Sequence, residues 1–236
     1  MSSRFYTTSI DTENGTARLE ESEAHHLLHV MRLKTGSEVH LFDGNGNAWR
    51  AFLTGTSRRS AELRLEEQIA KASLPTREIV LAVAPPKGDR FRWLVEKATE
   101  LGVSAIQPLK TERSVVDPGA GKIDKLRQTM IAACKQCGRN QLMTFAQQQT
   151  WEECIQEYTA SHHLLIAHPH GHNLREAFIG VEPTRSLLIA IGPEGGFTEE
   201  EVSLALNAGA APISLGQNIL RTETAAITCA AMATLA

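Results

Sequence analysis

The chain has 236 residues, of which 42% are hydrophobic and 22% are charged, so it is long enough for two globular domains. No apolar run approaches the roughly 20 residues that a membrane-spanning helix needs, and the first residues lack the apolar core of a secretory signal. The net charge of −3 argues against a uniformly basic protein. Together these features predict a cytoplasmic protein without a membrane segment.

The first 70 residues have the pattern of strands and turns. Apolar and polar residues alternate in part over three segments: Val39–Phe42, Ala48–Leu53 and Ala61–Leu65. Asp43-Gly-Asn-Gly46 is typical of a hairpin turn between the first two of them. One short helix is predicted from its cap, Ser22, to Met31. The pattern indicates a small β-barrel or sandwich domain over residues 1–70, followed by a polar linker over residues 71–77.

From residue 78 to residue 236 strands alternate with helices. The predicted strands are Ile79–Val83, Ala105–Leu109, Leu164–Ala167, Leu187–Ile191 and Pro212–Leu215. The predicted helices run from the cap Asp89 as far as Gly102, over Lys122–Gly138, from the capping box of Thr198 and Glu201 to Ala208, and over Thr222–Leu235. This alternation predicts an α/β domain with a mostly parallel sheet covered on both faces.

Two segments near the C-terminus could carry chemistry. Gly192-Pro-Glu-Gly-Gly196 follows a buried strand and precedes a capped helix, where α/β sheets bind ligands. Its glycines suit a close approach to a ligand, or a tight turn needed only for packing. The second segment, Leu215–Thr224, places Arg221 and Glu223 in an apolar region. These charges serve a site, or they face water beside a helix cap at Thr222.

The two segments together resemble the RsmE family of 16S rRNA (uracil-N3) methyltransferases in the SPOUT superfamily. Shorter segments that fit the family's pattern follow in order along nearly the whole chain: Arg4–Tyr6, His25–Arg32, Leu41–Gly46, Val95–Val103, Glu112–Ser114 and Gln136–Arg139. The resemblance implies an N-terminal PUA-like β-barrel that helps to hold RNA, and a C-terminal SPOUT domain with a trefoil knot. It also implies a homodimer with the knot at the interface.

The resemblance further implies that S-adenosylmethionine binds in the knot. One wall of its site would be formed by Gly192, Glu194, Gly195 and Gly196, and the other by Leu215, Gly216, Ile219, Leu220, Arg221 and Thr224. The strand from Leu187 to Ile191 would lead into the site. The acceptor would be a uridine in the decoding region of the small ribosomal subunit, near the 3′ end of 16S rRNA. The alternatives are a SPOUT enzyme that methylates another base or a ribose, and a non-catalytic RNA-binding protein.

Methylation of uracil at N3 displaces a proton and builds negative charge on the uracil oxygens. A positive side chain near these oxygens would stabilise that charge. Arg221 is the first candidate, and Arg4, from the same or the partner subunit, is the second. Glu223 would accept the proton or orient Arg221, and orientation is the preferred role. Because N3 lies on the pairing edge, the base must be unpaired or flipped out.

Basic residues concentrate in the middle of the chain. Residues 77–139 contain twelve Lys and Arg against seven Asp and Glu, a net charge of +5. Such a local surface suits phosphate contacts, or is a solvated helix face. The candidates for RNA contacts are Lys87, Arg90, Arg92, Lys97, Arg113, Arg139 and Arg32. The histidines at 25, 26 and 29 and at 168, 170 and 172 lack a rigid set of further ligands, so no metal is expected.

Overall fold

The computed structural model describes residues 3–73, 77–116, 120–178 and 181–235. The chain divides into two compact units. The N-terminal unit contains Met1–Leu74 together with Ile131–Leu142, and the C-terminal unit contains Pro75–Met130 with Met143–Ala236. Sequence patterning does not reveal that Ile131–Leu142 groups with the N-terminal unit. Part of the predicted linker, residues 74–76, lies outside the described residues.

Six strands form the sheet of the N-terminal unit, in the order β1-β4-β5-β6-β3-β2. They are β1 Arg4–Tyr6, β2 Ser9–Asp11, β3 Thr16–Glu20, β4 Glu38–Phe42, β5 Ala48–Thr56 and β6 Ser60–Ala70. β1 runs parallel to β4, and the other neighbouring pairs are antiparallel. The predicted strands at β4, β5 and β6 are confirmed, whereas the sequence analysis missed β1, β2 and β3.

The predicted turn between β4 and β5 is present. The Asp43 carboxylate accepts hydrogen bonds from the backbone N–H groups of Asn45 at 2.7 Å and Asn47 at 3.1 Å. Phe42 pairs with Ala48 across this turn. An aspartate that bonds the backbone of the next residues is a common way to fix a turn.

The predicted N-terminal helix has different ends from those expected. Helix α1 spans Glu21–His25 and continues as a π-helical turn over His26–Val30. Glu20 occupies the cap position without a side-chain cap, so the prediction that Ser22 caps the helix is wrong. Ser22 instead lies inside the first turn, because β3 continues to Glu20 and the helix begins directly after it.

Seven strands form the sheet of the C-terminal unit, in the order β10-β8-β7-β12-β11-β13, and β9 also pairs with β8. They are β7 Ile79–Val83, β8 Ala105–Lys110, β9 Thr144–Phe145, β10 Gln149–Thr150, β11 His163–Asn173, β12 Leu187–Ile191 and β13 Ala211–Ser214. All of these pairs are parallel, as predicted. Every residue of β7 and β12 is buried, as expected of central strands in a covered parallel sheet.

The helices α2 to α7 are Asp89–Glu100, Ala120–Cys137, Trp151–Tyr158, Leu174–Ala177, Glu199–Asn207 and Thr222–Leu235. The capping box of α6 is confirmed: the Thr198 hydroxyl accepts from Glu201 N at 3.2 Å, and the Glu201 carboxylate accepts from Thr198 N at 2.8 Å. Gly88 caps α2, so the prediction of Asp89 as the cap is wrong by one residue. No helix in the described ranges is long and apolar enough to cross a membrane.

Strand β11 is irregular where it passes β13. Ala167 and His172 both pair with Ile213, so the residues between them bulge out of the ladder. Gly171 belongs to this bulge, and a Cβ there would come within 2.7 Å of the Cα of Ile213. Only glycine permits so close an approach of two backbones. His168, Pro169 and His170 lie in this bulge, between the two residues of β11 that pair with Ile213.

Candidate active site

The C-terminal unit contains a cavity of about 450 Å³ at the ends of its strands. Three segments line it: the β11 bulge with His168–His170, the loop Gly192–Phe197 after β12, and the segment Ser214–Leu220 after β13. The lining is completed by Ala167, Ile191 and Ile213 of the strands and by Thr222 and Ala225 of α7. The volume lies within the range of small-molecule sites, roughly 300 to 1,000 Å³. The position matches the rule that open α/β sheets bind ligands at the carboxyl ends of strands.

The cavity brings together most of the residues expected to hold a cofactor. Nine of the twelve line it: Ile191, Gly192, Glu194, Gly195, Gly196, Leu215, Gly216, Ile219 and Leu220. The other three, Leu187, Arg221 and Thr224, are not part of the lining. Leu187 is fully buried at the start of β12, whereas Arg221 and Thr224 are exposed on either side of Thr222 and Glu223.

The loop Gly192–Phe197, called the cavity loop below, is held at several points. The Thr222 hydroxyl donates to the carbonyl oxygen of Gly192 at 3.1 Å, which ties the start of the loop to α7. Arg113 Nη1 donates to the carbonyl oxygen of Gly195 at 2.7 Å. Phe197 is buried and stacks at a tilt on Trp151, with the ring centroids 5.4 Å apart. The loop is therefore a fixed wall with anchors in three other segments.

Arg90 lies between two carboxylates beside the cavity. Arg90, in the first turn of α2, lies 3.0 Å from the Glu194 carboxylate through Nη2 and 4.0 Å from the Glu223 carboxylate through Nη1. Glu194 lines the cavity, and Glu223 is buried in the first turn of α7. The structure therefore places Glu223 next to Arg90, whereas the sequence analysis preferred Arg221 as its partner.

Arg221 and Glu223 are the charged residues next to Thr222 in the sequence, and Arg221 has a lining residue on each side. It stands between Leu220 and Thr222, which both line the cavity. Its side chain is exposed, and within the described part of the chain it forms no ion pair. Its guanidinium is thus available to a bound molecule.

Arg4 lies in the N-terminal unit, where it contacts the segment after α3. Its Nη2 donates to the Asn140 side chain at 2.6 Å and to the carbonyl oxygen of Arg139 at 3.3 Å, and its guanidinium lies 5.2 Å from the Phe42 ring centroid. Burial lowers the pKa of the Arg4 and Arg139 guanidinium groups. Both side chains are therefore partly withdrawn from solvent within this unit.

A second network in the N-terminal unit is centred on Lys135 of α3. Lys135 Nζ lies 2.9 Å from the Glu23 carboxylate and 3.0 Å from His26 Nδ1. The same ammonium lies 5.2 Å from the Phe5 ring centroid. Burial, with a smaller contribution from the Lys135 charge, lowers the pKa of His26. This network gives His26 a structural environment that the sequence analysis did not anticipate.

The basic residues expected to contact RNA have different surroundings. Lys97 is paired with Glu96 at 2.8 Å and Glu100 at 2.7 Å, and Arg90 and Arg113 hold the cavity loop. Lys87, Arg92 and Arg32 are exposed, although Arg92 lies 3.8 Å from Asp89. Arg32 adopts a φ of 54°, which is uncommon for a side chain of this size. The exposed members are the ones open to phosphates.

His168 and His170 are cavity residues that the sequence analysis left without a role. His168 Nδ1 accepts a hydrogen bond from the backbone N–H of His170 at 3.3 Å, and the two ring centroids are 5.6 Å apart. Both residues line the cavity. The sequence does contain a signal for these two residues, a histidine-rich segment with Pro and Gly at the end of an apolar strand. Ligands bind at this end of parallel strands, so the segment could have been placed at the cavity.

Two family models match the chain. An RNA methyltransferase domain matches residues 72–234, and an RNA methyltransferase PUA domain matches residues 19–66. The first match covers well over half of the chain and contains the whole cavity. The second lies within the N-terminal unit and bears out the expected PUA-like domain.

Related proteins cover nearly the full length. A ribosomal RNA small subunit methyltransferase E from Synechocystis is 34% identical over 89% of this chain and 70% of its own. A methyltransferase from Legionella pneumophila, solved with bound S-adenosylmethionine, is 31% identical, with a TM-score of 0.89 and coverage of 100% of this chain and 98% of that one. A ribosomal RNA small subunit methyltransferase E from Neisseria gonorrhoeae, solved with S-adenosylmethionine, is also 31% identical, with a TM-score of 0.87 and the same coverage.

Proposed function

Because this chain belongs to the ribosomal RNA small subunit methyltransferase E family of RNA methyltransferases, we propose that it transfers a methyl group from S-adenosylmethionine to N3 of a uridine in 16S rRNA. The acceptor we propose lies in the decoding region near the 3′ end. The observation that carries the proposal is the cavity at the ends of β11, β12 and β13, lined by both C-terminal motifs.

The residues of this cavity fit S-adenosylmethionine. Gly192, Gly195, Gly196 and Gly216 are among the lining residues, and the absence of a Cβ at each lets a small molecule approach the backbone closely. Apolar side chains, among them Leu215 and Leu220, suit an adenine ring. When bound, the cofactor supplies an activated methyl group on a sulfonium centre.

Arg221 is the residue we propose for stabilising the acceptor. Negative charge grows on the uracil oxygens as N3 loses its proton, and a guanidinium beside them favours that change. Arg90 and Arg113 are both bound to the cavity loop, which leaves Arg221 as the unpaired arginine adjoining the lining among the residues described. Arg4 is the second candidate, supplied by the same or a partner subunit.

The RNA must present a single uridine in an accessible form. N3 takes part in base pairing, so the enzyme acts on an unpaired base or flips the target out of its helix. We propose that Lys87, Arg92 and Arg32 contact phosphates, because they are exposed and phosphate contacts position RNA without reading its sequence. The PUA-like unit would add to the RNA-binding surface.

Three further features follow from family membership and are proposed with it. The C-terminal segment forms a trefoil knot, the enzyme is a homodimer with the knot at the interface, and it acts in the cytoplasm, where its ribosomal substrate is found. Exposed apolar side chains on the C-terminal unit, including Leu235 at the end of α7, are suited to burial in such a dimer. Light scattering of the purified protein measures the dimer directly.

The cellular test uses a strain that lacks the gene. Its 16S rRNA is digested to nucleosides, and N3-methyluridine is quantified by mass spectrometry against the parent strain. The proposal predicts that this nucleoside disappears and returns when the gene is restored on a plasmid. Undiminished N3-methyluridine, or the loss of a different methylated base or ribose, contradicts the target assignment.

A further inference from the structure

Arg90 contacts three different segments of the C-terminal unit. Its Nε donates to the carbonyl oxygen of Lys87 at 3.2 Å, next to the start of its own helix α2. Its Nη2 lies 3.0 Å from Glu194 in the cavity loop, and its Nη1 lies 4.0 Å from Glu223 in α7. All three guanidinium nitrogens thus face groups of the protein, and two of them face carboxylates, one in the cavity loop and one in α7.

The negative charge of the Glu223 carboxylate is stabilised by Arg90. The Glu223 side chain is only 9% exposed, and its Oε2 has no hydrogen-bond donor among the residues described. A buried carboxylate without a cation nearby is costly, because its charge has lost water and gained little in return. In the described part of the chain, the ion pair that reaches this carboxylate comes from Arg90.

The two carboxylates belong to two segments that contribute to the cavity lining, the cavity loop and the first turn of α7, which are called its two walls below, although Glu223 itself does not line the cavity. Glu194 lines the cavity and is part of the loop after β12. Glu223 directly follows Thr222, whose side chain both lines the cavity and bonds the carbonyl of Gly192. A guanidinium that attracts both carboxylates sets the distance between the cavity loop and the first turn of α7, because its nitrogens are held in a rigid planar fork.

We propose that Arg90 is a positioning residue of the cofactor site, which holds Glu194 and Glu223 together and so fixes the spacing of the two cavity walls. This role rests on the proposed function, since it assigns the cavity to S-adenosylmethionine. It replaces the phosphate contact that the sequence analysis assigned to Arg90. The guanidinium is directed at groups of the protein, because Nε and Nη2 are within hydrogen-bond distance of the Lys87 carbonyl and Glu194 and Nη1 faces Glu223.

Arg92 provides a matched control on the same helix. It lies two residues further along α2, and its side chain is 61% exposed, compared with 33% for Arg90. Its one ion-pair partner at this site, Asp89 at 3.8 Å, is itself in solvent. Substitution of Arg92 removes the same charge from α2 without touching either wall of the cavity.

The test measures two properties of purified, full-length variants. Calorimetry gives the Kd of S-adenosylhomocysteine, the product form of the cofactor, in the absence of RNA. RNA-binding titrations at several salt concentrations give the slope of log K against log salt, which reports the number of phosphate contacts. The variants are Arg90→Gln, Arg90→Lys, Glu194→Gln, the double variant Arg90→Gln/Glu194→Gln, and Arg92→Gln as the control.

The proposal predicts that Arg90→Gln raises the Kd of S-adenosylhomocysteine by about tenfold, in line with the loss of charged contacts. Arg90→Lys is intermediate, because an ammonium keeps the charge but cannot replace the planar fork. The double variant binds no worse than Arg90→Gln alone, since both changes break the same contact. Arg92→Gln keeps the wild-type Kd, and Arg90→Gln keeps the wild-type salt slope.

Any of three results would overturn the proposal. The first is that Arg90→Gln and Arg90→Lys, shown to be folded by circular dichroism, bind S-adenosylhomocysteine as tightly as the wild type. The second is that Arg90→Gln reduces the slope of log K against log salt by about one, which indicates a lost phosphate contact. The third is that Arg92→Gln weakens S-adenosylhomocysteine binding as much as Arg90→Gln does. If the wild type itself fails to bind, the proposed function fails first, and that outcome is distinct from these three.

Discussion

Arg113 donates a hydrogen bond from Nη1 to the carbonyl oxygen of Gly195 over 2.7 Å. The two residues are also packed together, because a Cβ at position 195 would lie 3.2 Å from Cδ of Arg113. The backbone N–H of the preceding residue, Glu112, donates to the Glu201 carboxylate at 2.8 Å, which fixes this segment to α6. A segment that the sequence suggested for RNA contacts therefore supports the wall of the cavity.

Arg113→Ala should weaken the binding of S-adenosylhomocysteine by about fivefold to tenfold, because the carbonyl of Gly195 loses a charged donor and the loop gains freedom. Calorimetry without RNA gives the Kd. Lys110→Ala, an exposed cation at the end of β8, serves as the matched control and should bind as the wild type does. An unchanged Kd in Arg113→Ala would show that the loop holds its shape without this contact.

Thr222 and Thr224 offer a direct comparison of two neighbouring hydroxyl groups. Thr222 is buried and donates to the carbonyl oxygen of Gly192 at 3.1 Å, whereas Thr224 is exposed and is not part of the cavity lining. Thr222→Val should lower the free energy of unfolding by about 1 kcal/mol and weaken S-adenosylhomocysteine binding, because a carbonyl loses its donor. Thr224→Val should change neither.

Urea unfolding and calorimetry measure both effects for the two valine variants. The family resemblance assigned Thr224 to the cofactor site, so the pair separates that assignment from the observed lining. Weaker binding in Thr224→Val with normal binding in Thr222→Val would reverse the roles that the structure indicates.

His162 makes the stability of the C-terminal unit depend on pH. Burial lowers its pKa from 6.5, against a smaller opposing effect of Glu78, whose carboxylate lies 3.5 Å from Nε2. Because the folded state disfavours the protonated ring, the stabilisation is complete above pH 6.5 and is lost as the pH falls through the lower, folded pKa. Burial lowers the pKa of the adjacent His163 in the same direction.

His162→Gln should therefore reduce the loss of unfolding free energy below pH 6.5. The change in slope should be a fraction of the ~1.4 kcal/mol per pH unit that one proton can contribute. Because His163 still titrates, the slope should fall without vanishing. Urea unfolding across this range measures it, with His172→Gln, at an exposed position, as the control. The same slope in His162→Gln and the wild type would contradict the assignment.

Arg221→Ala should lower kcat for methyl transfer by about 10² to 10³, because an interaction with the developing negative charge is lost. S-adenosylhomocysteine binding should change little, since the side chain is exposed outside the cavity lining. Arg221→Lys should recover part of the rate. Single-turnover kinetics separate the chemical step from binding, and full activity in Arg221→Ala would remove the catalytic assignment.

Local sequence patterns were sufficient to predict many of the helices and strands of the C-terminal unit. Helix α7 spans the predicted residues Thr222–Leu235, and the capping box of Thr198 and Glu201 starts α6 as expected. A helix cap and the apolar spacing of a helix are set by residues close together in the chain, so the sequence alone is enough to predict them. Helix α4 has the same signal in Thr150 and Glu153, which the sequence analysis overlooked.

Other elements depend on partners far away in the sequence. Strand β1 has only three residues and is defined by its parallel pairing with β4, which no local pattern marks. The cavity was located at the two glycine-containing motifs, but its third lining segment arises from a bulge where Gly171 approaches Ile213. The partners of Arg90 are also distant in the sequence. Its charge could be read from the sequence, but its proximity to Glu194 and Glu223 could not.

The most direct test of the account is methyl transfer by the purified protein. Small ribosomal subunits from a strain without N3-methyluridine are incubated with the protein and methyl-labelled S-adenosylmethionine, and the 16S rRNA is digested for mass spectrometry. The account predicts one labelled N3-methyluridine per subunit, in the decoding region near the 3′ end. A protein that binds S-adenosylhomocysteine but leaves every uridine N3 unlabelled would contradict it.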